Sequence, residues 1–553
     1  MKKVLTTVLL FAVVLAALLG IAALVERLRP AEMPAEPEET AAVEEKTVRN
    51  EMNAEGAAVI TFSEGKAHVD GLGANAVGSV VTVGYPGTYR VEGTIDDGQI
   101  IVDLGDFDGA AYLILNGASI ACSDGPAIHV KQADLALIHL AAGTQNVLSD
   151  GAEYTVQEGP EYRTGAGIYS ADDLVIEGEG ALTVYGSAAD GIRSKDALTV
   201  TGGSIAVYSA DDGLQASDYL SVTGGSITVG AYGDGIKTTD GYIEITGSSI
   251  SVSSAGDGVA AVTELTVTDS SLDIQTHGGA EAYADIVLDD LSAKGIKGDT
   301  VTVSGGTLTF DTADDAIHAV RDITLSGGSY VIRSGDDAVH AANLVEVSAA
   351  DMEIASCYEG LEAASVRLSG GRIGITAENN GVDAGEDGFV MTDGELVIEA
   401  PRGIGSDGVL SVESGSVTIL SDGLESPLKF VQSGVIGGTV AAWCGSGTAD
   451  VILEKGELPA SLLFVLHGTA AEEATPVVLT DASGTVLYET ETATGSGELL
   501  YASGRLRMGE TYTLTAGDTV LEAVLGEGCA IVEQELPRSS GGWGGFPGPG
   551  MRR

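Results

Sequence analysis

Residues 211–232, DDGLQASDYLSVTGGSITVGAY, decide the fold because their pattern recurs in later segments. Residues 233–255 read GDGIKTTDGYIEITGSSISVSSA, residues 314–335 read DDAIHAVRDITLSGGSYVIRSG, and residues 336–357 read DDAVHAANLVEVSAADMEIASC. A fixed period of about 22 residues is typical of a solenoid, whose units bury their apolar faces by stacking on neighbours. Residues at one phase of the repeat therefore lie above one another, and a recurring aspartate forms a column of carboxylates.

The secondary structure of each unit follows from short apolar alternations around paired small residues, such as LTVTGGSIAV from Leu198 and ITLSGGSYVI from Ile323. Period-two alternation and β-branched content predict strands. Because one phase recurs in every unit, each strand pairs with its equivalent in the next coil, and parallel crossovers are right-handed by strong preference. We predict an all-β fold, a right-handed single-stranded parallel β-helix of about 22 residues per coil.

A small residue marks the start of one strand in every coil. It falls at Gly191, Gly213, Gly235, Gly258, Gly295, Ala316, Ala338, Gly360, Gly381, Gly403 and Gly423. The next residue is always apolar and is predicted to face inward. The residue after that should face outward, and this column reads Arg193, Gln215, Lys237, Ala260, Lys297, His318, His340, Glu362, Asp383, Gly405 and Glu425.

The outward column is chemically varied, which suits a binding surface on a rigid face. The candidate carbohydrate-binding residues are Arg193, Gln215, Lys237, Lys297, His318 and His340. An ordinary solvated face is the alternative for any one of them. His318 and His340 are one coil apart, so they could also bind a transition metal, although hydrogen bonding to a sugar is the preferred interpretation.

Acidic residues precede the small residue in most coils and are doubled in several. Carboxylates stacked about 4.8 Å apart repel by ~1 kcal/mol in water, or ~3.5 kcal/mol at an effective dielectric near 20. A turn needs only one such residue, so we expect a divalent cation, and clustered oxygens favour Ca²⁺. The predicted calcium ligands are Asp211, Asp212, Asp234, Asp257, Asp314, Asp315, Asp336, Asp337, Glu359, Glu362 and Asp383.

Overall charge narrows the classes of partner. The 553 residues include 27 Lys and Arg against 81 Asp and Glu, a formal net charge of −54. Nucleic acid is excluded as an expected partner because phosphate binding needs basic patches. Cations, or acidic substrates bridged by cations, fit this charge better. The cysteines form no CxxC pair, which disfavours a zinc site.

The chain is predicted to contain six segments. Residues 1–25 form a signal anchor or a signal peptide, since 22 uncharged residues from Val4 to Val25 are long enough to span a bilayer as a helix. The remaining segments are a Pro/Glu-rich linker at 26–55, an N-terminal β cap with first coils at 56–125, the β-helix at 126–429 with an insertion near 276–292, a C-terminal β region at 430–537, and a Gly/Pro-rich disordered tail at 538–553. The exported part is therefore expected outside the cell, either secreted or membrane-anchored at the cell surface.

Several stretches carry a resemblance to a known family. They are GTYRVEGTIDDGQIIVD from Gly87, LILNGASIACSDGPAIHVKQAD from Leu113, GTQNVLSDG from Gly143, SAKGIKGDTVTVSGG from Ser292, the DDAIHA, DDAVHA and YEGLEA elements, and the tail GGWGGFPGPGM. In this order they resemble the bacterial carbohydrate-binding domain family of parallel β-helices, which are pectate-lyase-like and contain calcium. The resemblance implies calcium-dependent binding of plant cell-wall polysaccharide, both cellulose and acidic pectin. Asn380, Arg402 and the Ala349–Ala350 pair depart from the family's pattern.

Three functions follow from these observations. The leading hypothesis is a calcium-dependent carbohydrate-binding protein at the cell surface that recognises polygalacturonate or cellulose. The second is an active polysaccharide lyase, in which Lys237 or Lys297 removes the proton beside the uronate carboxylate. A lysine that merely balances the nearby carboxylates is the preferred interpretation of either residue. The third is a structural adhesin that calcium merely stabilises.

Overall fold

A computed structural model describes residues 51–154, 165–283, 291–421, 426–445, 451–455, 460–467, 475–492 and 496–534. The chain divides into two compact units, Met1–Arg49 and Asn50–Arg553, and the first lies outside the described residues. The predicted N-terminal hydrophobic helix and the predicted tail also lie outside them. Among the residues described, no helix has the length and apolarity needed to cross a bilayer.

Almost all regular structure in the described chain is β-strand, with one short 3-10 helix at Ala280–Ala282. The first strands are β1 Ala58–Ser63, β2 Lys66–Asp70, β3 Ala74–Val77, β4 Val80–Val83, β5 Gly87–Ile95, β6 Gln99–Asp103, β7 Ala110–Ala121, β8 Ile128–Gln132, β9 Leu135–Leu140, β10 Gln145–Ser149, β11 Ala166–Ser170, β12 Leu174–Gly178 and β13 Ala181–Gly186. The next are β14 Asp190–Ser194, β15 Ala197–Val200, β16 Ser204–Ser209, β17 Leu214–Ala216, β18 Tyr219–Val222, β19 Ser226–Ala231, β20 Ile236–Thr238, β21 Tyr242–Thr246, β22 Ser249–Ser254, β23 Val259–Ala260, β24 Glu264–Thr268 and β25 Ser271–Thr276.

The second half of the chain continues the series. Its strands are β26 Ile296–Ser304, β27 Thr307–Thr312, β28 Ile317–Leu325, β29 Ser329–Ser334, β30 Val339–Ala341, β31 Leu344–Val347, β32 Asp351–Cys357, β33 Leu361–Ala377, β34 Asn380–Glu399, β35 Arg402–Ser406, β36 Val409–Val412 and β37 Ser416–Ser421. The last are β38 Leu428–Ile436, β39 Thr439–Cys444, β40 Val451–Lys455, β41 Ser461–Leu466, β42 Thr475–Thr480, β43 Val486–Thr492, β44 Gly497–Ser503, β45 Thr511–Ala516, β46 Thr519–Val524 and β47 Cys529–Glu533.

Each central coil contributes three strands, and each strand pairs in parallel with its equivalent in the next coil. One sheet runs β11–β14–β17–β20–β23, a second runs β12–β15–β18–β21–β24, and a third runs β13–β16–β19–β22–β25. Equivalent residues are 22 to 24 positions apart in these coils. The predicted parallel β-solenoid is therefore confirmed, with about 15 turns. The right hand of the coil stays a prediction.

The core is built by the apolar residue that follows the small position. Ile192, Leu214 and Ile236 stack in register and are all fully buried. The small residue is required by space rather than by backbone conformation, because a Cβ added at Gly213 would lie 2.4 Å from the carbonyl oxygen of Gly235 and 2.3 Å from Val229. Ala316 and Ala338 occupy the same position in two later coils and are both fully buried.

The coil after Gly403 departs from the predicted register. Ile404 pairs with Leu428 and its N–H donates to the carbonyl oxygen of Pro427 at 3.0 Å, so Pro427 occupies the position predicted for Gly423. The outward column consequently continues at Lys429, and the prediction of Glu425 there is wrong. Because a proline stands where the other coils have glycine or alanine, counting small residues in the sequence misses this longer coil.

Both ends of the solenoid carry antiparallel pairs. At the start, β1 pairs with β2 and β3 with β4, while β1 already pairs in parallel with β5. At the end, β39 pairs antiparallel with β44, and β42, β43, β45 and β46 form a separate four-stranded sheet. A second apolar core lies there, including Trp443, Tyr501 and Leu514.

Candidate functional site

The acids that precede the small residues lie at the start of the first sheet's strands and are mostly buried. We call Asp190, Asp212, Asp234, Asp257, Asp315, Asp337 and Glu359 the carboxylate column. Six of the seven are between 2% and 7% exposed, and Asp234 is the partly buried exception. Buried carboxylates need compensating hydrogen bonds or charges, so their partners decide what the column can do.

One oxygen of most column carboxylates joins neighbouring coils. The N–H of Asp234 donates to Oδ1 of Asp212 at 2.9 Å, and the N–H of Asp257 donates to Oδ1 of Asp234 at 2.8 Å. Lys294 N–H makes the same bond to Asp257 at 2.8 Å. Backbone N–H donors favour the ionised form of a carboxylate. The column is therefore in part a structural ladder, which the sequence argument did not foresee.

The second carboxylate oxygen faces the side chain three residues later, on the outward column. We call Arg193, Gln215, Lys237, Lys297, His318 and His340 the polar column. The nitrogen-to-oxygen distances are 3.2 Å for Arg193–Asp190, 3.0 Å for Gln215–Asp212, 3.1 Å for Lys237–Asp234, 2.8 Å for His318–Asp315 and 3.5 Å for His340–Asp337. Lys297 lies in the coil after Asp257, pairs with Ala260, and contacts Asp257 across the two coils. The two predicted sets of residues thus form one paired surface.

The polar column is in register across the coils but is only partly exposed. Pairings run from Arg193 to Gln215 and Lys237, then through Ala260 to Lys297, and on to His318 and His340. The side chains of Arg193 and His340 are 29% and 33% exposed, whereas Gln215 is 7% exposed and buried. Gln215 is therefore a poor candidate for direct contact with a ligand.

Lys237 bridges two coils. Its Nζ lies 2.8 Å from Asp212 Oδ2 and 3.1 Å from Asp234 Oδ2. Burial alone would lower the pKa of Lys237, but the hydrogen bond and charge of Asp212, with Asp234, outweigh it and raise the pKa well above its usual range. Lys237 is consequently held as an ammonium ion, which works against its use as a general base.

Lys294 breaks the acidic pattern in sequence but takes a central place in the structure. Its Nζ lies 2.7 Å from Asp314 Oδ1 and 2.8 Å from Asp315 Oδ2. Burial lowers the pKa of Lys294, yet the charges of Asp315 and Asp314 raise it overall. An ammonium group of the protein therefore supplies part of the positive charge that the sequence argument assigned to a bound cation.

After Lys297, the polar column continues with two histidines, His318 and His340, in place of lysine. Asp315 Oδ2 accepts a hydrogen bond from Lys294 Nζ. The same oxygen lies 2.8 Å from His318 Nδ1 and 3.7 Å from His340 Nδ1. Burial disfavours ionised Asp315, but the hydrogen bonds from His318 and Lys294, with the His340 ring close by, push its pKa well below its usual range. The neighbouring carboxylate of Asp315 raises the pKa of His340 despite burial of the ring.

The next two coils contain more acids than cations. Burial, followed by a hydrogen bond to Glu362 and the charge of Asp315, raises the pKa of Asp337 well above its usual range. Burial, with Asp383 and Glu362 nearby, raises the pKa of Glu359 to about 7. Glu359 is held by amide groups, since the side-chain nitrogens of Asn379 and Asn380 donate to its Oε1 at 2.7 Å and 3.1 Å.

Among the described residues, four groups place His or carboxylate ligand atoms within 4.8 Å of one another. They are Asp190–Asp211–Asp212, Asp314–Asp315–Asp336, Asp315–His318–His340 and Asp337–His340–Glu362. The structure therefore brings together most predicted calcium ligands, and adds Asp190, which the prediction left out. Asp234, Asp257, Glu359 and Asp383 join none of these groups.

Sequence reasoning did not single out a set of tyrosines on the third sheet. Tyr185 and Tyr208 stand at the same register position of β13 and β16, and their rings stack with centroids 5.5 Å apart. Tyr232, in the turn after β19, is 82% exposed. The recurring tyrosine in TVYGS and AVYSA is the signal that could have found the stacked pair.

Comparison with known proteins gives a partial match. Residues 77–338, somewhat less than half of the chain, match the family described as "Carbohydrate-binding domain-containing protein". A relative with that description from Acetivibrio thermocellus is 38% identical over 152 residues, or 27% of this chain and 52% of the relative. The chain thus spans about half the length of the curated relative it matches.

A solved structure, that of the polysaccharide lyase-like protein from C. thermocellum in a gadolinium derivative, aligns with 53% of this chain and 97% of its own. Its sequence identity is 27% and its TM-score is 0.36, so the overall superposition is loose. The family match covers the coils from Asp190 to Asp337, which hold most of the carboxylate column. The comparisons support a relationship between this part of the chain and carbohydrate-binding proteins.

Proposed function

We propose that this protein binds polysaccharide along the polar and carboxylate columns. The observation that carries the proposal is the register of these columns. From Arg193 to His340, most coils present a polar side chain over a buried acid, and all of these coils up to Asp337 lie within the residues that match the carbohydrate-binding family. A rigid ladder with a repeat near 4.8 Å can offer hydrogen bonds to successive units of an extended chain.

The proposal includes Ca²⁺ at the group Asp190, Asp211 and Asp212, where the donor set fits a hard cation. All the ligand atoms are carboxylate oxygens, and Asp211 is exposed, which gives access from solvent. Burial and the charges of Asp212 and Asp211 raise the pKa of Asp190 to about 7 even though Arg193 lowers it. Excess negative charge therefore remains in this group beside the guanidinium.

The second acidic group fits calcium less well. Lys294 Nζ already lies between Asp314 and Asp315, so a calcium ion would have to displace an ammonium group from two short contacts. The two groups that contain histidine offer mixed nitrogen and oxygen ligands, which calcium disfavours. In the Asp190–Asp211–Asp212 group a calcium ion would also compete with Arg193 for Asp190 and with Lys237 for Asp212. Asp211 is exposed there and gives access from solvent, so we propose this group as the principal calcium site.

The proposed ligand is an acidic cell-wall polysaccharide of the polygalacturonate type. Direct attraction between a polyanion and a chain of net charge −54 is unfavourable. A calcium ion held by the protein would supply the positive charge that a uronate carboxylate requires. Export to the cell surface, by a cleaved or an uncleaved leader, belongs to this proposal because such a polysaccharide lies outside the cell.

The test is calorimetric titration of polygalacturonate oligomers into the protein with calcium and then with chelator. We expect calcium-dependent heat, which Asp211→Asn should weaken at least several-fold, whereas Asp240→Asn, at another exposed aspartate, should not. Equal binding in chelator would overturn the calcium requirement, and no heat in either condition would overturn acidic polysaccharide as the ligand.

Catalysis can be followed in the same experiment through absorbance of unsaturated uronide product. The ion pairs of Lys237 with Asp212 and Asp234 favour binding without turnover. Product that disappears in Lys297→Ala would instead support the lyase alternative. Calcium-induced thermal stabilisation with no sugar binding would support the adhesin.

A further inference from the structure

A shallow groove of about 550 Å³ crosses the third sheet, away from the polar column. Tyr208 on β16 and the exposed Tyr232 line it, and Gly230 on β19 lies between them in sequence. Tyr208 pairs in register with Gly230, which has no side chain to fill the space beside the ring. The groove therefore exists because one coil of the tyrosine series contains glycine.

The tyrosine rings present faces rather than edges along the coil axis. Tyr185 and Tyr208 are inclined by 20° with centroids 5.5 Å apart, and both are nearly half exposed, at 44% and 45%. A Cβ at Gly230 would lie 3.1 Å from Cδ1 of Tyr208, so the open position lies directly against the ring. Tyr185 supports Tyr208 from the preceding coil.

The lining of the groove carries no formal charge apart from the titratable ring of His277. Of the described residues that line it, none is Asp, Glu, Lys or Arg. The other lining residues are small, and include Ser253 and Gly278. In a protein with 81 acidic residues, such a surface selects for a neutral ligand with an apolar face and hydroxyl groups at its edge.

Aromatic stacking alone does not identify a binding site, because cross-strand tyrosine pairs also stabilise sheets. Tyr219 and Tyr242 illustrate that case on the second sheet, with centroids 5.4 Å apart and rings inclined by 9°. Tyr219 is only partly exposed, and neither tyrosine lines the groove. The Tyr208 region differs in having a glycine gap and a third, highly exposed tyrosine.

We propose that this groove binds β-linked glucopyranose chains, with a sugar ring against Tyr208 and Tyr232. Glucopyranose in β linkage places its hydroxyls equatorially, which leaves both ring faces as C–H surfaces suited to an aromatic ring. Galacturonate has an axial hydroxyl and a carboxylate, and fits this groove less well. The inference rests on the proposed carbohydrate-binding function and assigns it a second subsite, for neutral glucan.

The experiment titrates cellohexaose and, separately, polygalacturonate oligomers with calcium into the full chain. Tyr208→Ala and Tyr232→Ala should each weaken cellohexaose binding about three- to tenfold. Tyr208→Phe, which keeps the ring, should bind nearly as wild type does. Tyr242→Ala is the matched control at the other stacked pair and should leave cellohexaose affinity unchanged, and thermal melts will show that every variant is folded.

The outcomes separate this subsite from the proposed function. Polygalacturonate binding without cellohexaose binding would overturn the groove while leaving the proposed function intact. Cellohexaose binding that survives both alanine variants would also overturn it, as would an equal loss of both ligands in Tyr208→Ala. Selective loss of cellohexaose binding, restored by Tyr208→Phe, supports the glucan subsite.

Discussion

In the coils from Asp190 to Asp257 the buried carboxylates face arginine, glutamine and lysine side chains, whereas from Asp315 to Asp383 they face histidines, amides and further acids. The first stretch has counter-ions that stay charged at any physiological pH. In the second stretch, the pKa of Asp337 is raised well above its usual range and that of Glu359 is raised to about 7. The same backbone ladder thus supports two electrostatic designs, one compensated mainly by arginine and lysine and one in which carboxyl groups bind protons. Asp190, with a pKa raised to about 7 at the first coil of the first stretch, is the exception to this division.

The largest effect is expected where the two stretches meet. Asp315→Ala removes the carboxylate that receives Lys294 and His318. Breaking a buried ion pair on one side costs about 3–5 kcal/mol because the remaining charge stays buried without its partner. The denaturant midpoint, with its slope, measures this loss.

Asp240→Ala, at an exposed aspartate, is the matched control and should change stability by less than about 0.5 kcal/mol. A loss of less than about 1 kcal/mol in Asp315→Ala would show that Asp314, which already contacts Lys294, is a sufficient partner by itself. The cluster of Lys294, Asp314 and Asp315 would then tolerate loss of one acid, and it would not contribute more to stability than the other coils of the column.

Lys237→Met should leave carboxylates of the first stretch without a permanent cation, as in the second stretch. Without the ammonium group, Asp212 and Asp234 lie in successive coils with no permanent cation between them. We expect a loss of about 2–3 kcal/mol at pH 8, measured in chelating buffer by denaturant unfolding. The loss should shrink towards pH 4, where aspartates begin to bind protons.

Lys131→Met, at an exposed lysine in an early coil, controls for loss of a positive charge from an acidic chain. A penalty for Lys237→Met that is the same at pH 4 and pH 8 would contradict the electrostatic explanation. It would instead assign the effect to the packing of the lysine stem.

Glu359→Gln tests the proton-binding design of the second stretch. A carboxyl group whose pKa is raised in the folded state stabilises the protein at low pH, and this contribution is lost as pH rises through the folded value. With the pKa of Glu359 raised to about 7, the loss falls between about pH 4.5 and pH 7. The raised pKa of His340 acts in the same direction.

Glutamine mimics the protonated side chain, so Glu359→Gln should raise stability by about 1–2 kcal/mol at pH 8 and change it little at pH 4.5. Thermal or denaturant unfolding across this range, in chelating buffer, measures the difference. Glu378→Gln, at an exposed glutamate in the same coil, should show no pH-dependent gain. Destabilisation of Glu359→Gln at pH 8 would show that the carboxylate is needed in its ionised form.

The coil was predictable from sequence because its determinants are local. A small residue followed by an apolar one, such as Gly213 and Leu214, repeats at nearly constant spacing, and both positions are demanded by close packing. The same spacing predicted that the polar and carboxylate columns lie in register. It failed after Gly403, where Pro427 fills the small position and the spacing changes.

The counter-ions were not predictable in the same way. From the sequence, repulsion between stacked carboxylates predicts a bound calcium ion, and Lys237 and Lys297 are interpreted as balancing nearby acids. The repeat pattern gives Lys294 no such role. Lys294 occupies a column position in sequence, yet its Nζ reaches Asp314 and Asp315 of the next coil. Such a contact depends on the direction of a long side chain, which a repeat pattern does not reveal.

Of these substitutions, Arg193→Ala should lower the free energy of unfolding least. Its guanidinium is 29% exposed and meets Asp190 through a 3.2 Å contact, and partly exposed pairs contribute about 1 kcal/mol or less. The pKa of Asp190, already raised to about 7, lets this carboxyl group bind a proton when the guanidinium is removed. We expect a loss below about 1 kcal/mol at pH 6 by denaturant unfolding, close to that of Arg372→Ala at an exposed pair. A loss as large as that of Lys237→Met would mean that Asp190 stays ionised, and that the compensation of the first stretch extends undiminished to its first coil.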